Sequence, residues 1–155
     1  MISEPLKVLF ICTHNRCRSV LFEALTNQLA NGRIIAQSAG SSPAGEIHPG
    51  TLKHLAAKGI DTSTLRSKSW DECESFSPDL VVTVCDSAAG EMCPVWFGLA
   101  QKLHWGLSDP SAVKESEEQD NAFSQTMSEI ETRVNRILAE LDSAESVEAL
   151  TANLK

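Results

Sequence analysis

Apolar runs of strand length alternate with helix-length stretches along the 155 residues, which predicts a three-layer α/β/α domain around a doubly wound parallel sheet. Two further features agree. The strand candidates are nearly continuous apolar runs, as in sheets covered on both faces. A polar loop also leaves the first of them and leads directly into a helix. Residues 6–11 (LKVLFI) read as that first strand, followed by the basic loop THNRCR. Ser19 then reads as an N-cap, with Val20, Leu21, Leu25 and Leu29 on one helical face. Residues 33–38 form the next strand candidate, ended by Ala39, Gly40 and a Pro/Gly-containing loop to His48. Residues 49–58 read as a helix, because Pro49 is tolerated in a first turn and Gly59 is a C-terminal stop. A short helix is expected over 69–76, the strongest strand over 80–84 (LVVTV) and a weaker one over 102–105. Residues 121–141 place Phe123, Met127, Ile130, Val134, Ile137, Leu138 and Leu141 on the apolar stripe of a long helix. One domain therefore spans 1–155, with a polar tail over 143–155 expected to fray.

Composition narrows the function. The chain is 42% hydrophobic and 22% charged, ordinary for a packed domain. A net charge of -8 repels nucleic acid and anionic membrane, so neither is expected as a partner, and any anion site must be a local exception. The N-terminal apolar run is too short to span a bilayer and lacks a basic leader, which predicts a cytoplasmic protein. There the five cysteines are not expected to be structural disulfides, and no Cys-x-x-Cys pair supports a zinc knot. Catalysis, redox exchange or burial remains for each thiol.

Cys12-Thr13-His14-Asn15-Arg16-Cys17-Arg18-Ser19 lies between a strand and a helix. A tight loop running into a helix aims several backbone N–H groups at one point and makes an oxyanion nest. Arg18 adds a planar fork for two oxygens of a tetrahedral anion. The same field is expected to lower the pKa of Cys12 and make it a nucleophile, with the Ser19 hydroxyl near enough to bond the thiolate. Cys85 also directly follows a strong strand, so the topology can bring it to the same sheet edge as Cys12.

The segment VLFICTHNRCRSVLFEAL resembles the phosphate-binding loop of low-molecular-weight tyrosine phosphatases and their arsenate-reductase relatives. Further matches are Gln37-Ser38-Ala39-Gly40, Gly59-Ile60-Asp61, Asp79 through Cys85, Cys93-Pro94, and His104-Trp105-Gly106 through Asp109-Pro110. The resemblance spans roughly residues 6 to 141 and implies that family's fold. It implies that Asp109, otherwise merely an Asp-Pro turn, is the general acid that protonates a departing oxygen.

The resemblance leaves two activities to weigh. Arsenate reduction needs two electrons, which thiols supply by forming a disulfide. In the thioredoxin-coupled reductases, cysteines at the places of Cys85 and Cys93 perform that relay: one releases arsenite from the Cys12 adduct, the other carries the disulfide outward. A tyrosine phosphatase needs neither and tends to carry tyrosines after Asp-Pro; this chain has no tyrosine, and Ser111 follows Pro110. Arsenate reduction is therefore expected, with phosphatase activity as the alternative and a non-catalytic oxyanion sensor as a third possibility. No bound cofactor is expected; the implied reductant is thioredoxin, or else glutathione with glutaredoxin. This loop is more basic than in those relatives, with His14 and Arg16 in place of small residues, and seven residues separate Cys85 from Cys93. In potassium-binding members, side chains matching Asn15, Glu23 and Ser38 join an aspartate to hold the ion. Lys68 occupies the aspartate's place, so its ammonium is expected to satisfy Glu23 and no metal to be required. Cys17 is expected to pack rather than react, Cys73 to be inessential, His48 to start a helix, and His104 and Trp105 to pack beneath the Asp109 loop.

Overall fold

The computed structural model describes residues 2–85, 98 and 100–155. Four parallel strands lie in the order β2-β1-β3-β4: β1 Leu6–Cys12, β2 Ile34–Gly40, β3 Leu80–Thr83 and β4 Gln101–His104. The central β1 pairs Cys12 with Gly40 on one side and Ile11 with Thr83 on the other. The order reverses direction about β1, so its carboxyl end, beside those of β2 and β3, is the topological switch point. Leu6, Val8, Leu9, Phe10 and Ile11 are all fully buried, which requires cover on both sheet faces. Phe10 stacks on Phe22 of α1 (Arg18–Ala30) with ring centroids 4.7 Å apart. On the opposite face Lys7 reaches over Phe76, in the 3-10 helix Trp70–Phe76. The expected layered α/β class is thus observed.

α2 (Pro49–Ala57) begins as expected: His48 Nδ1 accepts from the Gly50 N–H and Pro49 occupies the first turn. The long helix α3 (Ser116–Ser143) starts earlier than the apolar stripe, because the Glu115 carboxylate caps the N–H groups of Glu117 and Glu118. The expectations for Ser19, Leu29 and the tail are corrected. Helix α1 begins at Arg18, which puts Ser19 inside the first turn, and the N-cap residue Cys17 makes no side-chain cap bond. Leu29 is 36% exposed, whereas Ala30 beside it turns inward and is buried. The tail does not fray: Val147–Leu154 forms α4, capped by Ser146 Oγ, with Leu150 and Leu154 buried and the Leu154 carbonyl accepting from Trp105 Nε1. Two apolar residues four apart hold this short helix down. No helix among the described residues is long and apolar enough to cross a membrane.

Candidate active site

The loop after β1 is shaped by what its carbonyls meet. The Thr13 carbonyl accepts from Ser42 N–H, that of His14 from Ala44 N–H and Ser67 Oγ, and that of Arg16 from His48 N–H and Thr51 Oγ1. In a planar trans peptide the next N–H points away from the carbonyl. The N–H groups of His14, Asn15 and Cys17 are therefore turned inward, and that of His14 bonds the Cys12 sulfur. The end of β2 lies so close that a Cβ on Gly40 would stand 2.4 Å from the Thr13 carbonyl oxygen. Only glycine fits there.

A buried network holds the loop from behind. Asn15, in the left-handed conformation at φ 48°, donates to Ser19 Oγ (2.9 Å) and Ser38 Oγ (3.0 Å), and accepts from the Lys68 N–H (2.9 Å). Ser38 Oγ donates to Glu23 Oε1 at 2.6 Å. The Lys68 ammonium lies 3.9 Å from the same carboxylate, both side chains largely buried. Burial pushes the Glu23 carboxyl above its ordinary pKa, against the pull of Lys68 and Ser38.

In front of the loop the two strand-end thiols meet. Cys12 and Cys85 are each 4% exposed and in hydrogen-bonding contact, with Thr13 Oγ1 3.7 Å from the Cys85 sulfur. This corrects the expectation of a Cys12 that is largely thiolate. The Cys85 thiol, then burial, push its pKa up, and Arg18 and the His14 N–H only partly oppose them. A second thiol this near the first disfavours ionisation of both together. Arg18 donates from Nη1 to the Leu107 carbonyl at 3.2 Å and faces Asp109 Oδ2 from Nη2 at 3.7 Å; its buried Nε has no hydrogen-bond partner among the described residues. That orphaned donor fits an oxyanion held in the loop. Asp109 Oδ1 accepts from the N–H and Oγ of Ser111, which aims the carboxylate's other oxygen at Arg18.

Cys17 is 2% exposed against Thr51 and Ser111, and burial pushes its thiol up to about 11, in line with a packing role. Cys73 is fully buried. Trp105 packs against Phe22 and α4, whereas His104 is exposed and bonds Thr83 Oγ1, so only the tryptophan matches the packing expectation. His14 is exposed and Arg16 half-buried at the rim. Cys93 and Pro94 lie outside the described residues. Leu107, Ser111 and Thr51 were missed by sequence reasoning: a backbone acceptor has no residue-type signature, and hydroxyls in loops are common. A cavity of about 630 Å³ opens at the other end of the sheet, lined by Glu74, Asp79, Gln101 and Glu148, and no thiol among the described residues lines it.

A cysteine at a strand end, a nest of inward N–H groups, a guanidinium at the helix start and a carboxylate facing it form a site suited to holding an oxyanion beside a thiol. The model of the family "Low molecular weight phosphotyrosine protein phosphatase" matches residues 7–147, and the chain belongs to that family. An arsenate reductase of Bacillus subtilis is 35% identical over 118 residues, covering 76% of this chain and 84% of the relative. Among solved structures, an arsenate reductase from Archaeoglobus fulgidus is 30% identical with a TM-score of 0.70, covering 86% of this chain and 99% of its own. A thioredoxin-dependent arsenate reductase of Corynebacterium glutamicum is 29% identical with a TM-score of 0.68, covering 93% of this chain and 66% of its own.

Proposed function

We propose that this protein reduces arsenate to arsenite in the cytoplasm, with two of its thiols supplying the electrons. The contact between Cys12 and Cys85 beside Arg18 carries this reading, because hydrolysis of a phosphocysteine has no use for a second thiol at the nucleophile. Arsenate sits in the 13–17 loop, held by inward N–H groups and the Arg18 fork. Cys12 attacks arsenic, and Asp109 protonates the departing oxygen, which leaves as water. The Cys85 sulfur then attacks the Cys12 sulfur; the S–As bond breaks with its electron pair going to arsenic, which leaves as arsenite. One disulfide forms for each As(V) reduced to As(III). Cys93 then exchanges with that disulfide and presents it to an external dithiol. The thioredoxin-dependent relative supports thioredoxin as the donor, with glutathione and glutaredoxin as the other route. Weak hydrolysis of small aryl phosphates follows from the shared Cys12, Arg18 and Asp109.

Arsenate-dependent NADPH consumption tests the reading, run with thioredoxin and its reductase and separately with glutathione and glutaredoxin. Turnover with the first pair is expected; turnover with neither would refute arsenate reduction. Lys68 takes the place of a bound potassium ion at Glu23, so exchanging sodium for potassium at equal ionic strength should leave turnover and Tm unchanged. Clear potassium activation would contradict that role.

A further inference from the structure

Between β4 and Asp109 the chain passes through Trp105, Gly106, Leu107 and Ser108 without regular structure of its own. Yet this stretch carries both protein partners of Arg18, the Leu107 carbonyl and, two residues on, the Asp109 carboxylate. Its N–H groups face the sheet: Trp105 N–H donates to the Thr83 carbonyl at 2.8 Å and Leu107 N–H to that of Val84 at 3.0 Å. The carbonyls of Trp105 and Gly106 face α3 instead, where one guanidinium takes both in succession. Arg133 Nη1 donates to the Trp105 carbonyl at 2.9 Å, and Nη2 to that of Gly106 at 3.2 Å. The peptide joining Gly106 to Leu107 is thus held at both ends, its oxygen by Arg133 and its N–H by Val84, and a planar unit held at both ends has little freedom to turn. The guanidinium is itself braced, by Glu129 Oε1 at 2.6 Å and by the Trp105 indole, 5.6 Å from ring centroid to Cζ. Its side chain is only 19% exposed.

We infer that Arg133 is a positioning residue, which sets where the Leu107 carbonyl and Asp109 stand against Arg18 by gripping the peptides just before them. A planar fork spans two adjacent carbonyls; a lysine ammonium at one point does not. Loss of the grip frees the acid by a fraction of an ångström to an ångström, and errors of that size cost about ten- to a hundredfold in rate.

The test uses the full chain and two readouts. In Arg133→Met, hydrogen exchange at the Leu107 amide should quicken by about tenfold, a loss of roughly 1.4 kcal/mol of local protection. In arsenate turnover, kcat should fall about tenfold with KM within about twofold; in an Asp109→Asn background the same substitution should cost clearly less, because the part of its effect that passes through the acid is already lost. Arg133→Lys should lie between, and serves alone if the methionine variant does not fold. Arg136→Met, which removes the other cation from the Trp105 indole but leaves both carbonyls held, should match wild type in both readouts. Unchanged Leu107 exchange, or equal kcat losses with and without Asp109, would overturn the assignment. The kinetic half rests on the arsenate-reduction reading and the exchange half does not, so a wild-type chain inert to arsenate sinks that reading while exchange still decides the role of Arg133.

Discussion

A methyl group on Gly40 would collide with the carbonyl oxygens of Thr13 and Cys12, at 2.4 and 2.8 Å. Neither can retreat, because the Thr13 carbonyl is tied to the Ser42 N–H and Cys12 is fixed in the sheet. Gly40→Ala should therefore cost about 2–3 kcal/mol of stability, read as a lowered midpoint in denaturant, and most of the turnover with it. A variant of normal stability and activity would contradict the shape given to the loop. Cys12→Ser should abolish turnover, since an alcohol here is a poor nucleophile. Arg18→Lys should lower kcat/KM about a hundredfold or more, measured by initial rates over a range of arsenate. Cys12 and Arg18 were legible because strand, loop and helix are contiguous and their chemistry is local to that segment. The ionisation of Cys12 was not legible, since it depends on a sulfur at the end of another strand. The roles of Asp109, Glu23, Ser38 and Lys68 came from resemblance alone, because no periodicity announces an Asp-Pro turn as an acid or a lysine as a counter-ion.

The support network joins the loop, α1, β2 and the segment before the 3-10 helix, and Glu23 of α1 is its most exposed weakness electrostatically. Its folded pKa lies above the ordinary 4.5, so the folded state binds a proton that the unfolded chain has released, and stability falls as pH rises through the interval between the two values. Lys68→Met removes the nearest opposing charge and should push the Glu23 pKa higher. The fall in Tm as pH rises above about 4.5 should then extend to higher pH than in wild type. Parallel Tm profiles for the two proteins would contradict the ion pair's role. Most elements were readable from the sequence because apolar runs and turn residues mark them. The misreadings share one physical cause: short-range signals were outvoted by distant partners. Ser19 looks like a cap but is drawn to Asn15 inside the helix, and the polar tail looks loose but supplies Leu150, Leu154 and a carbonyl for Trp105.

Across the molecule, the reversal of strand order about β1 brings two thiols, far apart in sequence, into contact at one sheet edge. The long helix α3 and the terminal α4 brace that edge from the side, through Arg133 and the Leu154 carbonyl. A chain ending at Ser143 loses two buried leucines and the Trp105 bond, and should be less stable by about 4–6 kcal/mol in denaturant unfolding. Normal stability would show α4 to be dispensable. The relay is decided by the arsenite that a fully reduced chain releases with no reductant added, together with mass mapping of its disulfides. Wild type and Cys93→Ser should each release about one arsenite per chain, the variant retaining a Cys12–Cys85 disulfide, while Cys85→Ser should release almost none. Arsenite release by Cys85→Ser equal to that of wild type would contradict the reduction of arsenate by this thiol pair.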